Sequence, residues 1–60
     1  MSAVHTRIEE LVARHESLLR LERALAYSHR NDETLAAVHV ARIYEMEDYI
    51  RDMRRLLKLP

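Results

Sequence analysis

Ser28-His29-Arg30-Asn31-Asp32 is the stretch that decides the fold, because it is the only polar cluster between two long amphipathic patterns. The chain has no glycine, and its single proline is the last residue. Most tight hairpin turns between strands require glycine, so an all-α chain is favoured. We therefore predict one turn between two helices, at about residues 29–31.

The residues on either side of this turn have the composition and periodicity of helices. Leucine, alanine, arginine and glutamate are frequent there, and apolar residues recur three and four positions apart. These patterns predict a first helix at about residues 3–28 and a second at about residues 32–59. The whole chain of 60 residues is then a single helical hairpin.

Signals for helix starts precede both segments. Thr6 and Glu9 have the spacing of a capping box, and Ser2 offers an earlier start for the first helix. Asn31 or Asp32 can cap the second helix, because a short polar side chain accepts a hydrogen bond from a free amide of the first turn.

The two helices match each other in antiparallel register. A turn centred on residues 30 and 31 makes the numbers of facing residues add to about 61, and the apolar positions then alternate at spacings of four and three. Facing positions on the first and second helices are Val4 and Leu57, Ile8 and Met53, Leu11 and Ile50, His15 and Met46, Leu18 and Ile43, Glu22 and His39, and Leu25 and Ala36. The pattern predicts an antiparallel, coiled-coil-like two-helix hairpin.

Several apolar residues lie outside this seam, and we expect that a two-helix hairpin leaves them uncovered. A chain this short is marginally stable alone, and without cysteine it has no disulfide to stabilise it. Pairing of two hairpins into a homodimeric four-helix bundle, assembly into a larger homo-oligomer, or docking on a larger protein would cover them. The predicted interface residues are Val12, Leu19, Leu21, Val40, Tyr49 and Leu56.

Three polar residues, His15, Glu22 and His39, occupy seam positions where apolar residues are expected. The register places Glu22 opposite His39, and a Glu–His pair can form a charge-assisted hydrogen bond. Polar residues in a seam fix register or partner choice at some cost in stability. We therefore predict that these three residues form a polar specificity layer.

The same Glu22 and His39, taken from two copies, are the alternative candidates for a zinc or iron site at a dimer axis. The chain has no Glu-x-x-His motif of the ferritin-like di-iron kind, so we predict no metal and no other cofactor. It also has no cysteine nucleophile and no Ser-His-acid set in a suggestive context. We predict a protein that is not an enzyme.

Charge leaves one further alternative, in which a dimeric four-helix bundle binds RNA or DNA. Ten basic and ten acidic residues balance, so no global field draws the chain to nucleic acid. The open end of the hairpin nevertheless gathers basic residues, interspersed with Glu9, Glu10 and Asp52. The candidate nucleic-acid contacts are Arg7, Arg51, Arg54, Arg55 and Lys58.

No segment has the roughly 18 consecutive apolar residues of a membrane span, and the polar first residues are not typical of a signal peptide. Together with the absence of cysteine, this predicts a cytoplasmic protein without a membrane partner.

Short motifs along the chain resemble the YdcH-like family, a group of short bacterial proteins classed as a domain of unknown function. The motifs are His15-Glu16-Ser17-Leu18, Leu21-Glu22, Asn31-Asp32 and Tyr44-Glu45-Met46-Glu47-Asp48-Tyr49-Ile50. The resemblance covers roughly residues 8–57. It departs from the family pattern at Glu47, where the family has lysine, and at residues 38–42, where the family has a basic run. The resemblance implies a helical hairpin and no defined activity.

Overall fold

The computed structural model describes residues 2–59, which form an all-α hairpin of two helices. Helix α1 spans Ala3–Ser28 and helix α2 spans Glu33–Leu57, with a turn at residues 29–31. The described residues include no strand. The two helices pack side by side in a rod with principal extents of 46 × 15 × 10 Å, and the predicted hairpin is confirmed.

Both helices begin at a polar cap. The hydroxyl of Ser2 accepts a hydrogen bond from the amide of His5 at 3.1 Å, and the Oδ1 atom of Asp32 accepts one from the amide of Leu35 at 3.1 Å. Thr6 lies inside α1, where its hydroxyl donates to the carbonyl of Ser2. Of the alternatives that the sequence offers, Ser2 and Asp32 are therefore the caps.

Helix α2 buries the face that the periodicity predicts. Ile50 and His39 are buried against α1. The other predicted seam positions of this helix are half-buried, namely Ala36, Ile43, Met46, Met53 and Leu57.

Helix α1 is rotated relative to the prediction. Val12 and Leu19 are 6% and 8% exposed and form the apolar core with Ile50, whereas the predicted seam residue Leu18 is 41% exposed. The expectation that a two-helix hairpin leaves Val12 and Leu19 uncovered is wrong. A side chain covered inside the hairpin cannot also serve as a contact for a partner.

The rotation also brings oppositely charged residues together on one flank of the hairpin. It brings Glu16 of α1 to 2.8 Å from Arg54 of α2, and Arg23 of α1 to 2.9 Å from Glu47 of α2. Two oppositely charged pairs thus bridge the helices on one side.

Neither helix is apolar over a long enough stretch to cross a membrane.

Candidate interaction surfaces

One long side of the hairpin is polar, and we call it the charged side. Its markers are the ion pairs between Glu16 and Arg54 and between Arg23 and Glu47. The two residues of α1 are seven positions apart, as are the two of α2, so each pair of positions shares a helix face. Val40 lies seven residues before Glu47 and belongs to the same side.

The opposite long side is lined by hydrophobic residues, and we call it the apolar side. Leu18 lies two residues from Glu16, which places it about 160° around α1 from the charged side. Tyr49 has the same relation to Glu47 on α2. The apolar side consists of Leu11, Leu18, Leu21 and Leu25 from α1 and of Leu35, Val38, Tyr49 and Leu56 from α2.

Exposure distinguishes the apolar side from an ordinary helix flank. Leu21 is 56% exposed, and Leu18, Leu35, Val38 and Leu56 are each close to two-fifths exposed. A shallow groove on this side, between α1 and α2, is lined by His15, Leu18, Glu45, Met46 and Tyr49. Contiguous exposed apolar residues of this kind mark interaction sites.

The structure divides the predicted association surface into three parts. Leu21, Tyr49 and Leu56 lie on the apolar side, Val12 and Leu19 lie in the core, and Val40 lies on the charged side. One flat interface therefore cannot contain all six residues. From the sequence we expected Leu11, Leu18 and Leu25 in the seam between the helices. Their regular spacing of seven residues is equally typical of a second apolar stripe on the same helix.

The predicted contact between Glu22 and His39 is present inside the hairpin. The Nδ1 atom of His39 donates to the Oε2 atom of Glu22 at 2.6 Å, and these side chains are only 10% and 12% exposed, respectively. The Nη1 atom of Arg42 lies 3.5 Å from the second carboxylate oxygen of Glu22. The His29 ring stacks on the His39 ring, with centroids 5.6 Å apart. Glu22 and His39 thus form a closed polar layer near the turn.

His15 does not join this layer. Its Nδ1 atom donates to the carbonyl of Leu11 at 2.8 Å, and its ring stacks on Tyr49 with centroids 4.2 Å apart. The register places it near Met46, with which it lines the groove on the apolar side. His15 therefore lies on the apolar side, where its ring stacks on Tyr49.

The hairpin places few potential metal-ligating side chains close to one another. Within residues 2–59, no group of three or more histidine, aspartate or glutamate side chains is arranged to hold a metal ion. Glu22 and His39 face each other within one hairpin, and their low exposure keeps them from the surface that a second copy would contact. This geometry favours a structural layer over a metal site at a dimer axis.

A second groove runs between α1 and α2 at the open end, on the charged side, with a volume of about 420 Å³. Arg51, Arg54, Arg55 and Lys58 line it, so the structure brings four of the five candidate nucleic-acid contacts together. Arg7 is not part of its lining.

Carboxylates neutralise much of this basic cluster. Arg54 pairs with Glu16 at 2.8 Å, and Arg51 lies 3.2 Å from Asp48. Glu47 also lines the groove, and Arg51 additionally lies 3.7 Å from Asp52. Away from the groove, Arg7 pairs with Glu10 at 3.3 Å. The open end is thus a surface of mixed charge.

Comparison with protein-family models, with curated proteins and with solved structures finds no match to this chain. The resemblance to the YdcH-like family accordingly stays a prediction.

Proposed function

We propose that this chain is a non-enzymatic helical hairpin that self-associates through its apolar side and acts as a protein-interaction, regulatory or accessory subunit. The homodimer would be a four-helix bundle. The observation that carries the proposal is the division between the two long sides. One side carries two cross-helix ion pairs, while the other exposes leucines of both helices.

The exposed area supports a second copy as the cover. A compact globular protein of this 7.2 kDa mass is expected to expose about 4100 Å². The hairpin exposes 4755 Å². The excess is similar to the roughly 800 Å² that each partner contributes to a standard protein interface. Covering one long side would therefore bring the surface of each chain close to that of a compact protein.

The small core points the same way. Only Val12, Leu19 and Ile50 form the buried apolar cluster, and no side chain within residues 2–59 is completely buried. For chains of this size, the free energy gained by burial roughly equals the entropy lost on ordering the chain. Association through the apolar side would add burial without ordering a new segment.

Chemistry at the polar layer gives little support to an enzyme. Glu22 and His39 are hydrogen-bonded to each other inside the hairpin, and both grooves are open along the helix pair. Catalytic sites are usually concave pockets with convergent polar groups.

A cytoplasmic location is part of the proposal, because a chain without cysteine suits a reducing compartment.

Binding of RNA or DNA at the open end is the weaker alternative. Arg7, Arg51 and Arg54 have carboxylate partners. A phosphate would have to compete with those carboxylates, and among the five candidate contacts only Arg55 and Lys58 have no ion pair with a carboxylate of residues 2–59. Electrostatic affinity for nucleic acid depends on the number of phosphates neutralised, so this end favours weak binding.

Sedimentation equilibrium and native mass spectrometry test the proposal with two matched variants. Leu18 on the apolar side and Val40 on the charged side are both 41% exposed. We expect a wild-type dimer at micromolar concentration, and we expect Leu18→Glu to raise its dissociation constant at least tenfold, because a carboxylate would be buried without a partner. Val40→Glu should leave the dimer intact.

A folded wild-type monomer at 100 µM would overturn self-association. Equal weakening by Leu18→Glu and Val40→Glu would overturn the assignment of the apolar side as the interface. Circular dichroism of each variant checks that the helices are retained.

A further inference from the structure

We propose that two copies of this chain pack their apolar sides together in antiparallel orientation, so that the turn of each lies beside the open end of the other. This inference rests on the proposed function, because it specifies how the self-associated pair is arranged. The two-fold axis would cross the hairpin near residues 14–15 of α1 and residues 45–46 of α2. In that arrangement α1 packs on α1 of the second copy and α2 on α2 of the second copy.

The row of apolar residues on α1 is self-complementary about this axis. Val4, Leu11, Leu18 and Leu25 follow one another at intervals of seven residues. When two such rows run antiparallel about a midpoint between residues 14 and 15, Leu11 faces Leu18 of the second copy. Val4 then faces Leu25 of the second copy. Each aliphatic side chain of this row therefore faces another aliphatic side chain of the second copy, as in the seam of a helix pair.

The facing row on α2 is self-complementary in the same way. It consists of Leu35, Arg42, Tyr49 and Leu56, again at intervals of seven residues. About a midpoint between residues 45 and 46, Leu35 faces Leu56 of the second copy. Arg42 faces Tyr49 of the second copy, and a guanidinium over a tyrosine ring is favourable. The only charged residue of the two rows therefore meets an aromatic ring.

One axis satisfies both rows. In this hairpin, positions whose residue numbers add to about 61 face each other across the helix pair, as Glu22 and His39 do. The two midpoints therefore lie at the same level to within one residue, or about 1.5 Å along a helix. The overlap of the two rods is also nearly complete, because this level lies close to the middle of the hairpin.

The parallel alternative, with both turns at one end, places α1 on α2 of the second copy. In this arrangement the α1 row of one copy lies opposite the α2 row of the other, again at matching levels. Arg42, however, then faces Leu18 of the second copy instead of the Tyr49 ring. The Arg42 guanidinium, whose Nη1 atom lies 3.5 Å from Oε1 of Glu22 in its own chain, would be partly desolvated there and would gain no aromatic ring. Two such contacts would occur in each dimer, which favours the antiparallel arrangement.

Charge at the two ends of the hairpin favours the same orientation. The open end, residues 1–10 and 51–60, has five basic and three acidic side chains, a net charge of +2. The turn end, residues 25–37, has one basic and two acidic side chains, a net charge of −1. Antiparallel packing sets these opposite charges beside each other, whereas parallel packing places like charges together.

Distances between spin labels test the orientation. The chain has no cysteine, so Asn31→Cys and Ala13→Cys each introduce a single labelling site. Asn31 lies in the exposed turn, and its two copies should be about 45 Å apart in the antiparallel dimer, as set by the rise of the helices. In a parallel dimer they should be about 25 Å apart or less.

The Ala13→Cys label separates the failure of this inference from the failure of the proposed function. Ala13 is exposed, lies near the axis, and is about 140° around α1 from Leu18, so a label there does not lie between the apolar sides. Its two copies are within about 30 Å in either orientation. A short distance at both sites overturns the antiparallel arrangement and keeps the dimer. No dipolar coupling at Ala13, together with a monomeric mass, overturns self-association and with it this inference.

Arg42→Leu tests the residue that we assign to orientation. The variant removes the cation and keeps an apolar side, so the dimer should persist while the fraction of Asn31 label pairs at the long distance falls. Arg42→Lys is the matched control and should retain the long distance, because it keeps the charge. If Arg42→Leu leaves the distance distribution unchanged, Arg42 does not orient the two copies.

Discussion

His39 donates a hydrogen bond from Nδ1 to Oε2 of Glu22 at 2.6 Å, across the interior of the hairpin. His39 is the only buried polar residue within residues 2–59. The pair joins the two helices at one level near the turn, where each side chain replaces an apolar residue of the seam. Its geometry fixes the relative height of α1 and α2, because a shift by one residue would separate the two groups.

Removing one partner of this pair should cost more stability than removing both. Glu22→Leu leaves the buried His39 imidazole without its acceptor, and we expect a loss of about 1–3 kcal/mol in the free energy of unfolding. Glu22→Leu combined with His39→Leu replaces the layer by apolar contact and should keep or raise stability. Urea denaturation of the wild type, both single variants and the double variant measures the coupling as a double-mutant cycle.

The double variant should instead lose definition of register, visible as broadened amide resonances in a two-dimensional NMR spectrum. If the double variant failed to fold, Glu22 and His39 would be required for the fold and would not act as a specificity layer.

Periodicity predicted the face that α2 buries and the contact between Glu22 and His39. Both follow from the positions of apolar and polar residues on an antiparallel helix pair. The rotation of α1 did not follow, because two seams are compatible with its sequence. The row Ile8, His15 and Glu22 can combine either with the row of Leu11 and Leu18 or with the row of Val12 and Leu19.

The choice between these seams depends on contacts that are distant in sequence. Burying Val12 and Leu19 lets Glu16 meet Arg54, 38 residues away, and turns Leu18 outward. No rule based on the spacing of nearby residues includes a contact between residues so far apart in sequence. Val40 and Tyr49 are nine positions apart and therefore lie on opposite flanks of α2. The predicted interface thus included residues from three different surroundings.

The cap of α2 gives a local test of the turn. Asp32 accepts a hydrogen bond from the amide of Leu35 at 3.1 Å. Asp32→Ala should therefore lower the free energy of unfolding by about 0.5–2 kcal/mol, the usual value of an N-cap. Asn31→Ala is the neighbouring control and should change stability by less than about 0.5 kcal/mol. Equal losses in the two variants, measured by thermal denaturation, would contradict the assignment of the cap.

Nucleic-acid binding at the open end should be weak and strongly dependent on salt. We expect gel-shift titration with a 20-nucleotide single-stranded RNA to show no retained complex at 10 µM protein in 150 mM salt, because Arg51 and Arg54 are held by carboxylates. Retention that disappears when Arg55 and Lys58 are replaced by alanine would contradict this prediction and assign the open end to nucleic acid.

The same substitution should affect different properties at two adjacent leucines. Leu19 is 8% exposed in the core, and Leu19→Ala should lower the free energy of unfolding by about 2–5 kcal/mol, enough to unfold much of so small a protein. Leu18 is on the apolar side, and Leu18→Ala should leave the hairpin helical while raising the dissociation constant of the dimer.

Circular dichroism followed over a range of protein concentrations separates these two effects. Loss of helix at every concentration is expected for Leu19→Ala, whereas Leu18→Ala should mainly shift the concentration at which the dimer forms. If Leu18→Ala were instead the variant that unfolds at all concentrations, α1 would be packed on the Leu11 and Leu18 row. The apolar side would then not be the surface that two copies share.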